Sequence, residues 1–272
     1  YYTAFNTNMV VNELFIDSAT LRDNVVAIAK QLGYRPKSAT SPTAYVSFTV
    51  TYSNPTTDTE LLLKKGTGFT ATYENRLFNY VVLEDVKAQV ANGVATFTDV
   101  AINEGTQLTN TFTVNSASKS QRFILDNQNI DTNTISVRVY PTGGSFNEPY
   151  LVADNILGVD ATSKVFFLDE IEDERYEILM GDGVLGKKLD NNARVEVSYL
   201  VTSGPESNGV RTFTFSGVLE NPNGVSPSSF TIAVNSIVAA AGGEEIESTK
   251  KIKNTAPKAY GTQDRAVTAQ DY

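Results

Sequence analysis

No histidine, cysteine or tryptophan occurs anywhere in the 272 residues. Without histidine and cysteine there can be no Ser-His-Asp triad, cysteine nucleophile, His- or Cys-built zinc site, thiolate iron–sulfur cluster or His- or Cys-ligated haem. What remains open is carboxylate chemistry, lysine chemistry or a hard metal held by oxygen. The missing thiols also exclude a disulfide framework, so stability rests on core and partners, in keeping with a reducing compartment. Positive charge is in deficit, with 22 basic against 31 acidic residues and a formal net charge of −9. Phosphate binding needs a basic surface, so neither nucleic acid nor an anionic membrane is expected as a partner. Apolar runs are short, none approaching the roughly 20 residues of a bilayer span. The opening YYTAFN has no initiator Met, basic leader or apolar signal core, and TAQDY at the other end reads as the start of a helix. Both ends are expected to be cuts in a longer polypeptide.

What is present begins with a heptad. Val11, Leu14, Leu21, Val25, Ile28 and Leu32, with Ser18 in step, fall alternately three and four residues apart. That spacing predicts a long helix from about Asn6 to Leu32 carrying a coiled-coil or bundle seam. Phe15, Ala19, Val26 and Ala29 widen the apolar face. Gly33 suits the left-handed residue just past the helix end, with Lys30 in the last turn and Pro36 blocking resumption. The helix packs either on its own β-domain or in a bundle with neighbouring subunits, and the width of the face favours the second.

From Ala44 the period changes to two. In AYVSFTVTY, Val46, Phe48, Val50 and Tyr52 share a face. VKAQVANGVATFTDVAI predicts a hairpin around Asn92-Gly93 with a type I′ turn. RFILDNQNIDTNTISVRVY reads as strand, polar turn, strand, with Ile135, Val137 and Val139 inward. Further strands are expected in KVFFLDE, RYEILMGDGVLGKKL, ARVEVSYLVTSG, VRTFTFSG and SSFTIAVNSIVAAA. A helix is expected at Glu244 to about Asn254, acids at its start and Lys250, Lys251 and Lys253 at its end, with another beginning at Thr268 and Asp271. The fold class is therefore α+β: an N-terminal long helix, a predominantly antiparallel β-domain, and short helices toward the C-terminal end. The expected divisions are 1–38 for the helix, 39–210 for the β-domain, and 211–272 for a strand-plus-helix connection to a further C-terminal region.

Three stretches carry chemistry-bearing side chains. Asp126 to Thr134, DNQNIDTNT, clusters oxygen ligands but lacks the Gly and Glu of a calcium loop, and its composition suits a turn. LDEIEDER offers the acids from Asp169 to Glu174, which fit paired acid/base work or, more simply, a solvated edge that discourages strand pairing. GDGVLGKK lacks the spacing of a phosphate loop and runs into more β-structure, so a tight turn is expected. No catalytic, cofactor or metal site is assigned.

Three motifs, in order along the chain, carry a family resemblance. In NELFIDSATLRDNVVAIAKQLGYRPKSATSPTAYV the matching positions are Glu13, Phe15, Ala19, Arg22, Val25, Ala29, Gly33, Tyr34, Pro36 and Ser38. The second motif is YEILMGDGVLGKKLDNNARVEVSYLVTSGPESNG and the third IKNTAPKAYGTQDRAVTAQDY, with Met180 and Asn254 as modest departures. Together they resemble the baseplate wedge proteins of T4-like contractile-tailed phages, within the broader baseplate J-like family. The resemblance implies a structural virion protein of the tail baseplate, assembled in the host cytoplasm, with no enzymatic activity, cofactor or small-molecule substrate. It implies pairing with a second copy and with other wedge proteins through a helix bundle. Six such wedges would close into a ring around the hub and rearrange on tail contraction. Val11, Leu14, Leu21, Val25, Ile28 and Leu32 are then the expected bundle interface. A receptor- or glycan-binding tail module and a carboxylate-based hydrolase at Asp169 to Glu174 are the alternatives.

Overall fold

The computed structural model describes residues 10–54, 56–118, 121–144, 146–153, 156–227 and 229–262. A ten-residue helix, α1 (Arg22–Gln31), precedes the β-structure. Six strands follow: β1 (Thr43–Tyr52), β2 (Glu60–Leu63), β3 (Gly68–Tyr73), β4 (Arg76–Val81), β5 (Val86–Ala91) and β6 (Val94–Glu104). The chain then crosses to a second sheet through β7 (Thr106–Thr113), β8 (Phe123–Leu125), β9 (Ile130–Tyr140), β10 (Glu148–Val152), β11 (Val165–Glu170), β12 (Tyr176–Met180) and β13 (Arg194–Val201). It returns to the first sheet with β14 (Thr214–Phe215), β15 (Leu219–Glu220) and β16 (Phe230–Ala241), and α2 (Thr249–Thr262) follows. The stretch 211–241 thus completes the first sheet, which has nine strands to the second sheet's seven. All pairings are antiparallel except β10 with β11.

Period-two patterning explains the cores. Val46, Phe48 and Val50 of β1 are buried on one face, where Phe48 stacks on Phe97 at 4.6 Å and meets Phe69 edge-on at 5.7 Å. Such ring pairs add specificity to the area they bury. The second sheet buries Val137 and Val139 of β9 against Val195 and Val197 of β13, with Leu125, Phe166 and Ile178. The hairpin at Asn92-Gly93 forms as expected: both residues have positive φ, +52° and +74°, as a type I′ turn requires.

The two sheets meet at a polar waist. Glu104, at the end of β6, is buried and accepts hydrogen bonds from Thr202 Oγ1 (2.6 Å), Ser203 N–H (3.0 Å) and Ser203 Oγ (2.9 Å). Asp131 of β9, also buried, accepts from Ser41 N–H at 2.8 Å and Ser41 Oγ at 2.7 Å. Neutral hydroxyls and amides thus satisfy both carboxylates across the sheet junction, as buried charge demands. Gly105 is the single residue between β6 and β7. Its φ is +133°, and a Cβ there would lie 2.7 Å from the Val201 carbonyl oxygen, so the crossing needs glycine.

Two helix expectations are corrected. The structure is mostly β, and among the described residues no long N-terminal helix is present. Within the described residues the heptad run is helical at 10–12, then turns through Ser18, then enters α1. Side-chain competition breaks it: the Glu13 carboxylate accepts from Thr20 N–H (2.8 Å), Thr20 Oγ1 (2.6 Å) and Asn24 Nδ2 (2.9 Å), while Ser18 Oγ donates to the Asn12 carbonyl. Short polar side chains that bond nearby backbone favour caps over helix interiors. The second helix starts at Thr249, not Glu244, with Ser248 Oγ accepting from Lys251 N–H at 3.4 Å as its cap. Glu244 instead bridges to Thr40, and Glu247 is buried. Lys250, Lys251 and Lys253 fall in the opening turns of α2. The helix expected at Thr268 and Asp271 lies outside the described residues.

Candidate assembly surface at the helical end

α1 ends as its sequence dictates. Gly33 has φ +82°, its N–H donates to Lys30 C=O at 2.9 Å, and Tyr34 N–H donates to Ala29 C=O at 2.9 Å. This is a Schellman cap, which needs a residue free to enter the left-handed region. The cap turns the chain back so that α1 lies against α2. Ala19, Val25, Val26 and Ala29 pack with Ile252 and Ala256, flanked by Ile16, Ile28, Leu32 and Tyr34.

Polar contacts bind this helix pair to the sheets. Arg22 Nε donates to Glu170 Oε1 at 2.7 Å and lies 3.7 Å from Glu174, and its Nη1 donates to the Glu247 carbonyl. Two helical turns on, Lys30 Nζ donates to the Glu170 carbonyl at 2.6 Å and lies 3.5 Å from Asp169. Burial pushes the Glu170 carboxyl up, against the opposing pull of Arg22. Glu247 accepts from Tyr34 Oη at 2.8 and 2.9 Å and from Lys37 N–H at 3.0 Å. Burial and the Glu247 carboxylate push the Tyr34 hydroxyl above its ordinary value. A cavity of about 320 Å³ lies beside this clamp, lined among others by Lys30, Arg35, Thr132, Asp169, Glu170 and Tyr176.

The six expected interface residues separate into two groups. Val25 is fully buried, and Ile28 and Leu32 partly so, all three against the chain's own α2 cluster. Val11, Leu14 and Leu21 are 44%, 65% and 60% exposed. Val10 and Phe15 are exposed as well, so five large apolar side chains on the short segment leading into α1 are exposed. Isolated exposed apolar residues are ordinary, whereas a contiguous group marks a contact surface.

The remaining candidate stretches take structural parts. In the turn between β8 and β9, Asn127 accepts from Tyr199 Oη at 2.7 Å, Asp126 pairs with Arg175 at 3.5 Å, and Asp131 serves the waist. Among the described residues no group of three or more Asp or Glu side chains is placed to hold a metal ion. The acids from Asp169 to Glu174 include the three that clamp α1, so each of those three meets a cation on the chain's own helix. Asp182 Oδ1 accepts from Val184 and Leu185 N–H at 2.8 and 2.9 Å, closing the tight turn expected there. Sequence patterning pointed to Glu13, Glu170 and Glu247 without the contacts they make, and the partners of Glu247 lie as far as 225 positions away. A legible trace was the pair Arg22 and Lys30, eight residues apart on one helix face.

No family model matches the chain. The chain is 25% identical, over 97% of its length, to the baseplate wedge protein gp6 of Enterobacteria phage T4. It spans 42% of that protein. No helix among the described residues is long and apolar enough to cross a membrane. The similarity, carried over almost every element from the segment before α1 to α2, supports a relationship to phage baseplate wedge proteins.

Proposed function

We propose that this chain is a structural component of a phage tail baseplate, part of a wedge protein that works by fitting against its neighbours and not by catalysis. The observation that carries the reading is the similarity to a baseplate wedge protein across 97% of the chain. The exposed side chains of Val10, Val11, Leu14, Phe15 and Leu21 are consistent with it, because a virion subunit leaves apolar surface for the next subunit to cover. In this reading Val11, Leu14 and Leu21 meet neighbouring subunits, paired copies and other wedge proteins among them. Val25, Ile28 and Leu32 hold the helix pair that presents them. The two sheets, tied at Glu104 and Asp131, form a rigid spacer, and ring closure with rearrangement on contraction follows from rigid units turning about their interfaces. The protein resides in the virion tail baseplate after assembly in the host cytoplasm.

Co-expression of the full chain with the other baseplate proteins of its phage tests this. Leu14→Asp with Leu21→Asp is expected to leave the circular dichroism spectrum unchanged and to abolish co-purification. Undiminished co-purification of a folded double variant would contradict the assembly role of this surface.

A further inference from the structure

β16 is the unguarded rim of the first sheet. It pairs with β1 alone, whereas β14 and β15, at the ends of the main strand path, are two residues long. From Phe230 to Ala241 it contains no charged residue and no proline, the devices that normally blunt a sheet edge. The ladder phase is readable from its start: Ser53 N–H donates to Ser229 C=O, while Tyr52 N–H turns the other way to Gly93 C=O. Antiparallel alternation along the β1–β16 register then points the N–H and C=O of Ile232 and Val234 away from β1. Farther along, Ala240 donates to Val210 C=O at 2.8 Å and accepts from Gly209 N–H at 2.7 Å. An open groove of about 770 Å³ lies there, with Arg211 and Phe213 on one side and Val234, Ile237, Val238 and Ala241 on the other. No carboxylate lines it, and Arg211 makes no ion pair among the described residues, in a chain of net charge −9.

We propose that this groove receives an extended segment of a different polypeptide, added to β16 as an outer strand and carrying a carboxylate that meets Arg211. The exposed backbone groups supply affinity, and the apolar lining selects a segment whose side chains alternate apolar and polar. A lone cation in an uncharged groove is complementary to an acidic residue or a free C-terminus. A second copy does not fit as the occupant. Its own β16 is held by β1 on one edge, so a whole sheet would have to enter beside Arg211 and Phe213, and its twelve β16 residues include no acid.

Fluorescence anisotropy with a labelled octapeptide of alternating Thr and Val ending in Asp tests the proposal on the full chain. Saturable binding is expected. It should weaken about tenfold or more when alternate peptide nitrogens of the probe are methylated. Val234→Pro should weaken it similarly, since the lost N–H faces the groove and not β1. Arg211→Glu should weaken the Asp probe and favour a Lys-ended one. If Val234→Pro misfolds, the methylated probe still decides, because it leaves the protein untouched. Three results would overturn the proposal. They are the absence of saturable binding up to millimolar peptide, binding indifferent to probe methylation, and a dimer of the chain that Val234→Pro dissolves.

Discussion

At the residue scale, four buried carboxylates, Glu104, Asp131, Glu170 and Glu247, do much of the joining, and they differ in what satisfies them. Glu170 sits against Arg22, with Lys30 nearby and Glu174 adding like charge. Burial raises its pKa, so its contribution to stability is greatest below the ordinary carboxylate value and is lost as pH rises through the raised one. Arg22→Ala would leave that charge unpaired at a cost of about 3–5 kcal/mol. The loss in urea unfolding should be larger at a pH well above that raised value than at one below it, where the carboxyl carries a proton. Equal losses at both pH values would show that Glu170 is not the partner that matters. The Glu247 carboxylate makes no ion pair among the described residues and depends on Tyr34 and the Lys37 amide. Tyr34→Phe should therefore cost about 2 kcal/mol, the worth of a hydrogen bond to a buried charge, by the same measurement.

At the element scale, the period of apolar residues identified most strands and failed for one helix. Period two in AYVSFTVTY and the Asn92-Gly93 dipeptide were sufficient, because local turn chemistry and core burial favour the same register there. The heptad from Val11 to Leu32 was legible as apolar spacing, but its continuity as helix was not. Glu13 and Ser18 offer the backbone other partners, and those win between Glu13 and Leu21. The Glu13 carboxyl, held by Asn24 and Thr20, is depressed from the usual 4.5 to about 2. Stability from this turn is then present above pH 4.5 and lost as pH falls toward 2. A carboxyl titration by NMR should give that low midpoint, and Glu13→Gln should speed amide exchange at Thr20 and Leu21. A midpoint at the ordinary value would mean the turn does not hold Glu13 in solution. The Gly33 stop was legible because a Schellman cap is local. The Glu244 start was not, because Glu247 is taken by Tyr34 across a long loop of sequence.

At the scale of the whole molecule, a nine-stranded and a seven-stranded sheet are locked at one waist, with a helix pair clamped beside it. Alternation along each strand made the β-character visible, but it carries no information on which strands share a sheet. That division turns on Gly105, whose backbone no other residue adopts comfortably and whose missing Cβ lets Val201 approach. Gly105→Ala should cost about 3 kcal/mol, against about 1 kcal/mol for Gly33→Ala, where nothing lies within 4 Å of the added carbon. Similar losses at the two positions, read from urea unfolding, would contradict a tight crossing at the waist. The heptad spacing pointed to six residues as one seam, of which Val11, Leu14 and Leu21 are exposed and Val25, Ile28 and Leu32 are turned inward. α2 covers Val25, Ile28 and Leu32 from some 220 positions downstream, which no local pattern announces.

The central claim is that Val11, Leu14 and Leu21 are completed by another subunit. A photo-crosslinking residue placed at Leu14 of the full chain, irradiated within purified baseplates, tests it most directly. The account predicts a covalent adduct with a neighbouring baseplate chain, identified by mass spectrometry. Adducts confined to the same polypeptide, in baseplates that assemble normally, would contradict it.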